Sequence, residues 1–342
     1  MPGSGLLTQL MLAEESTVGT AVTVTRGYEV DDLKPTNTKI TAVSMGLRAG
    51  ARGHRERNRV ITGKSVSLNV PMSVFSKGFG VFLKHALGSS STSLIASATN
   101  RQIHLVGDLV GKGLTVQGGF AESGTSGVVR PYTYNGCKVT DLELSCRMDD
   151  VLKASIALDG WTWTTATALA SASFLSALEV FHWGELTVKI GGTPSTSAGR
   201  TTVAGNATLN GLRGVTLRLA NGLRTDRRFA GGGGIKSEQL ENAFREATGE
   251  LDCEFFDRTQ LNDVYDTDAS TALVFQWVGV TSDAGNFPTV RVTYPRAKLD
   301  TGTAETNGAD VIDDRVTFTA YEDDAGTHPL VQYEYESLDS AP

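Results

Sequence analysis

Two Asn-Gly pairs, each leading into an alternating run, constrain this chain more than any other feature. Asn135-Gly136 precedes Cys137 to Cys146, and Asn210-Gly211 precedes Leu212 to Ala220. Asn-Gly favours a turn with positive φ, and both runs carry Val-Thr followed by leucines at every second position, the period of a strand with two unlike faces. The same building block therefore occurs twice, and the chain reads as a builder of sheets with an internal duplication.

Composition points the same way. With 342 residues, 40% hydrophobic and 20% charged, the chain can bury one large core or two small ones. Its 38 glycines and its wealth of Thr, Ser and Val favour strands joined by turns, so the expected fold class is mainly β with a minor helical part. The formal charge of −7 argues against a general nucleic-acid binder, whose affinity comes from Lys and Arg that displace counterions. The charge is unevenly spread: Arg48, Arg52, Arg55, Arg57 and Arg59 with Glu56 make one segment of +4, which leaves −11 elsewhere. Opposite charges on separate patches suit contacts between copies of one chain.

Cys137, Cys146 and Cys253 have no metal-ligand spacing and cannot all pair, which reads as buried thiols of a protein made in a reducing cytosol. The N-terminal Leu6, Leu7, Leu10, Met11 and Leu12 lack the basic lead-in and the length of a signal peptide, and no run is long and apolar enough to span a membrane. A soluble protein that is not conventionally secreted is expected.

Along the chain, residues 1–35 read as an extended N-terminal arm that needs a partner surface. Residues 39–70 form a long hairpin of two strands, with the Arg-rich segment 48–59 at its tip. Residues 71–163 make a first half and 179–322 a second, followed by a C-terminal arm over 323–342. One helix is expected over Ser73 to Leu87, with Phe75, Phe79, Phe82, Leu83 and Ala86 on one face. A second is expected from Ser237 as N-cap, with Leu240, Ala243, Phe244 and Ala247 on one face and Gly249 as its stop. Ser89 to Ser93 reads as an exposed loop, and Thr164 to Ser176 and Gly191 to Gly205 as connectors of small residues.

Motifs for chemistry are absent or broken. Gly231 to Ser237 resembles a phosphate loop before a helix, but Gly-Ile-Lys-Ser stands where Gly-Lys-Ser is needed. Gly107 to Gly113 fails similarly. The five histidines have no ligand spacing, Asp263 to Asp268 lacks the glycine and terminal glutamate of a calcium loop, and there is no nucleophile elbow. No cofactor, metal or catalytic residue is assigned, and a non-enzymatic protein is expected.

The alternating runs place Asp141 and Glu143 opposite Leu142 and Leu144, and Glu250, Asp252 and Glu254 opposite Leu251, Cys253 and Phe255. Each strand thus offers an acidic row, which is either an ordinary solvated sheet face or, if several copies turn it inward, the wall of a negatively charged channel. Such a wall repels phosphates, so DNA could pass without being gripped.

The series Ala13 to Ala21, Asn135 to Leu144, Gly211 to Leu219, Gly249 to Asp257, Tyr294 to Leu299 and Val316 to Asp323 resembles, in order, the major tail tube protein of long-tailed bacteriophages. The resemblance implies a β-sandwich with a flanking helix and a long hairpin loop, assembled as homohexameric rings that stack into a tube. It implies inter-ring contact by the hairpin, here the five arginines from Arg48 to Arg59, with Asp300, Glu305, Asp310, Asp313 and Asp314 as counterparts. It implies a lumen, here with Asp141, Glu143, Glu250, Asp252 and Glu254 facing it, through which double-stranded DNA leaves during ejection. Implied partners are the tape-measure protein during assembly and the tail terminator and distal tail proteins at the ends; the setting is the virion, after synthesis and assembly in the host cytoplasm, without membrane insertion. Only about twenty residues follow Tyr321, so an undecorated tube exterior is expected.

Two other classes remain at this point. A carbohydrate-binding or host-recognition β-sandwich module of a virion would use Trp161, Trp163 and Trp183 as stacking platforms. A hydrolase would need an acid pair assembled from distant residues.

Overall fold

A computed structural model describes residues 5–122, 128–280, 285–306, 308–309 and 311–342. The longer strands are β1 (Gln9–Glu15), β2 (Thr36–Val43), β3 (Arg59–Ser73), β4 (Gly88–Leu94), β5 (Asn100–Val106), β6 (Gly113–Ala121), β7 (Val129–Arg147) and β8 (Lys153–Gly160). They continue with β9 (Leu186–Ile190), β10 (Thr193–Ser197), β11 (Arg200–Ala204), β12 (Leu212–Ala220), β13 (Glu246–Glu254), β14 (Thr271–Val278), β15 (Thr289–Leu299), β16 (Asp313–Ala320) and β17 (Gln332–Ser337). Helix α1 spans Gly80–Leu87 and a single turn, α2, spans Asn262–Asp266. The fold is mainly β, as its composition requires.

Two antiparallel layers enclose the core. One runs β2-β3-β8-β7-β12-β13-β16. The other runs β9-β14-β15-β17-β5-β4. Alternation decides which side of each strand is dry. Leu142 and Leu144 of β7, Leu217 and Leu219 of β12, Leu251 of β13 and Phe318 of β16 are fully buried against Phe275, Tyr294 and Tyr333 of the second layer. Phe275, Phe318 and Tyr294 pack as an aromatic cluster with ring centroids 5.1 to 6.1 Å apart, a geometry that adds to their burial. β15 serves both layers, pairing with β14 and β17 through its first half and with β16 over Ala297 to Leu299.

β7 turns the other corner, and the Asn135-Gly136 pair is the reason. Its first half pairs with β6 and its second with β8 and β12. Asn135 and Gly136 together oppose the single residue Thr115 between the pairs Leu114–Cys137 and Val116–Tyr134. Gly136 has φ 62°, so this is a glycine bulge that bends one continuous strand, not the turn of a hairpin. Positive φ is as expected here and at Gly211, where φ is 76°.

The bulge is held by part of the segment expected to be an extended arm in need of a partner surface; it finds that surface on its own chain. β1 lies between β6 and the short strand Arg26–Tyr28, with Leu10, Met11 and Leu12 buried. Glu15 accepts from Gly136 N (2.9 Å), Gly19 N (2.6 Å) and Thr115 Oγ1 (2.9 Å), and Asn135 Nδ2 donates to Gly19 O. Residues 9–15 are therefore part of the sheet. At the other end of the chain β17 is a central strand of the second layer, so 332–337 is no arm either.

The two Asn-Gly runs lie side by side and antiparallel: Leu142 faces Leu219, Leu144 faces Leu217 and Cys146 faces Val215. Helical expectations fare worse. Helix α1 is shorter than predicted because Ser73 ends a strand, Phe75 bridges to Val180, and Gly78 (φ 87°) breaks the chain before Gly80. The predicted 237–249 helix is absent; Glu246–Glu254 is strand, and Phe244 is 96% exposed. The Ser89 to Ser93 segment is edge strand β4, and 193–204 is a β10–β11 hairpin. That hairpin is held by Gln332, which bonds both backbone groups of Thr201, and by an Arg200–Glu334 fork at 2.8 and 3.0 Å.

Candidate assembly surfaces

The outward side of the first layer is one continuous polar face. Ser67 and Asn69 of β3, Ser155 of β8, Asp141, Glu143 and Ser145 of β7, Thr216 and Arg218 of β12, Thr248, Glu250 and Asp252 of β13, and Arg315, Thr317 and Thr319 of β16 share it by register. The structure thus brings Asp141, Glu143, Glu250, Asp252 and Glu254 together on one face, across three adjacent strands.

The face is not a plain acidic wall. Arg218 reaches across to Asp141 at 2.8 Å, and Arg315 pairs with Glu250. Arg213, which stands in a bulge of β12, pairs with Asp313 and lies 3.6 Å from Asp252 and 3.7 Å from Glu254. Each acid row is interleaved with a basic one from the neighbouring strand. The arginines were legible along their own strands, Arg218 in the second repeat and Arg315 in β16, but which acids they meet depends on sheet order. Exposed pairs of this kind contribute little to stability and much to the pattern of charge a partner meets.

The β2–β3 hairpin rises from one end of this layer. Val66 faces Gly160, the last residue of β8, so residues 59–65 continue beyond the last pairing on that side, roughly 23 Å at the usual strand rise. Arg48, Arg52, Arg57 and Arg59 are exposed and Arg55 is half-buried at its tip. The hairpin also exposes Val43, Met45, Leu47, Val60 and Ile61, with Leu47 at 97%. The sequence reading missed these; β-branched pairs so close to an arginine loop were the available signal. Of the expected counterparts, Asp314 is buried and cannot greet a partner, Asp313 is engaged by Arg213, Asp300 accepts from Thr319 Oγ1, Glu305 is exposed, and Asp310 lies outside the described residues.

The broken phosphate loop has a structural purpose. Residues 225–239 form a strap against the hairpin base, where Arg228 donates to Lys64 O and a Cβ on Gly234 would meet Thr62 O at 1.9 Å. Lys236 is buried and pairs with Asp159 at 2.5 Å, and Gln239 bonds the same carboxylate. Burial pushes the Asp159 carboxyl up, against the pull of Lys236. Beside it Lys138, also buried, reaches Glu238 at 2.6 Å, Leu109 O and Gln239 O, and burial lowers its basicity. Neither lysine is available to an anion.

The tryptophans make no common platform. Trp161 packs its ring over Gly19 and Gly136 and bonds Gln239, Trp163 carries Lys64 at 4.9 Å, and Trp183 sits beside Asp150 at the opposite end of the layer. All three cysteines are buried and unpaired, and burial pushes their thiols up. Among the described residues no His, Cys, Asp and Glu group is placed to hold a metal ion, and no helix is long and apolar enough to cross a membrane.

A sandwich with a broad polar sheet face and a projecting hairpin of arginines and exposed apolar side chains defines a β protein suited to assembly. The sequence pattern of the phage tail tube protein family matches residues 5–320, and the chain belongs to that family. It is a structural tail tube subunit and a component of the virion. Comparison with curated protein sequences gives no significant match.

Proposed function

We propose that six copies close into a ring through the first layer, that rings stack into a tube, and that the polar face lines a lumen conducting double-stranded DNA during ejection. The observation that carries this reading is the face itself: on a seven-stranded layer, polar apart from small residues such as Pro71, Ala157 and Ala220, and backed by the molecule's core. Asp141, Glu143, Glu250, Asp252 and Glu254 then face the lumen together with Arg218 and Arg315. The interleaved charges leave the wall weakly acidic, so it neither binds phosphates as a basic groove would nor repels them as strongly as bare acid rows. The Arg48 to Arg59 hairpin makes the contact between rings. Assembly takes place in the host cytoplasm around a tape-measure protein, with terminator and distal tail proteins at the ends.

Negative-stain microscopy of the purified chain or of virions is expected to show stacked rings with a central hole. A chain that stays monomeric even with its initiator and tape-measure partners overturns the proposal. For the lumen, Asp141→Lys with Glu143→Lys is expected to permit tubes but slow genome release, because the added cations grip phosphate. Glu143→Cys labelled by an impermeant thiol reagent from outside intact, end-capped tubes would place this face on the exterior instead.

A further inference from the structure

Exposed apolar side chains stand at both ends of the first layer. At one end stands the hairpin with Met45, Leu47, Val60 and Ile61. At the other, β7, β12, β13 and β16 bring together Met148 (58% exposed), Phe255, Phe256 (68%) and Ile312. They form one surface: Met148 N bonds Arg213 O, Phe255 N bonds Ile312 O at 2.8 Å, and a Cβ on Gly211 would touch Phe256 Cβ. Acids outnumber bases around it: Asp252, Glu254 and Asp313 gather on Arg213, and Asp257 and Glu305 are exposed on the adjoining backbone, with Arg147 the exposed base beside Met148.

We propose that this aromatic surface is the receptor for the hairpin tip of a second copy, in the next ring. The assignment rests on the stacking reading above and gives the hairpin its partner. Apolar meets apolar, +4 meets an acidic rim, and guanidinium groups can lie over the Phe255 and Phe256 rings. Geometry selects this surface over the main competitor, a groove of about 770 Å³ lined by Glu241, Phe244, Glu246, Tyr321 and Glu322. That groove opens at the same end of the layer as the hairpin, because Glu246 faces Ala220 and Ala220 faces Asp141. A tip rising along the strands moves away from it, whereas a copy displaced along the strands sets its Phe256 end over the tip. Opposed unlike patches make a heterologous contact that repeats without closing, as a tube requires along its axis.

The test uses the full chain in assembled tubes. Leu47→Cys with Phe256→Cys is expected to give, on mild oxidation, a ladder of covalent multimers that neither single variant gives; the buried native cysteines do not compete. Phe256→Asp is expected to raise the concentration needed for tubes at least tenfold while far-UV circular dichroism and melting of the unassembled chain stay unchanged. Tubes that form normally with Phe256→Asp overturn the assignment. So does a ladder from Leu47→Cys with Phe244→Cys in place of the Phe256 pair, which would mean that the hairpin lies across a lateral neighbour while the tube reading stands. Absence of tubes from the unaltered chain with its partners overturns both.

Discussion

His104 is fully buried, and burial holds its imidazole down to about 3 from an ordinary 6.5. The folded protein keeps it neutral, while the unfolded chain takes up a proton below pH 6.5, so stability is full above that pH and falls as pH drops through the window from 6.5 towards 3. His104→Gln is expected to flatten that slope, read from urea midpoints of the unassembled chain at a series of pH values. The buried Lys236–Asp159 pair makes a second prediction. Asp159→Ala leaves an ammonium without its partner and is expected to cost about 3–5 kcal/mol, whereas Asp159→Leu with Lys236→Met recovers most of the loss. Denaturant titration of the two variants beside the unaltered chain checks it.

Among the elements, the bulge in β7 is the one on which the others depend. Gly136→Ala meets both a left-handed backbone and the Trp161 ring, 2.5 Å from the new Cβ. Gly191, with φ 78° and open space around its Cβ position, isolates the backbone cost. Gly191→Ala is expected to lose about 1–2 kcal/mol and Gly136→Ala clearly more, measured by urea unfolding. Strands with clean alternation were legible, β7, β12 and β13 above all, since period two directly sets which side is dry. The 237–249 helix was misread because Leu240, Ala243, Phe244 and Ala247 fall at helical spacing by coincidence, while Ala247 also alternates with Gly249, Leu251 and Cys253. β4 was missed because Ser has little strand preference, and its pairing with β5 overrides it. The acidic rows were legible one strand at a time, but their arginine partners were not, because cross-strand neighbours depend on sheet order.

For the whole molecule, the ring contact proposed above brings the hairpin arginines to a partner across solvent, so the rate at which copies add is expected to depend on salt. Replacing Arg52, Arg55 and Arg57 by Gln should slow tube growth at low ionic strength and remove most of its salt dependence, as followed by light scattering. A rate unchanged by the substitutions would separate the hairpin from the growth step. The two Asn-Gly runs pair antiparallel, so the core side of the first layer's centre, with Leu142 against Leu219 and Leu144 against Leu217, looks much the same when inverted. A tail must nevertheless distinguish its head-proximal end from its tip. The leucines beneath the middle of the face carry none of that polarity; in the assembly proposed above it rests on the unlike ends of the subunit, the arginine hairpin at one and Phe255 and Phe256 at the other.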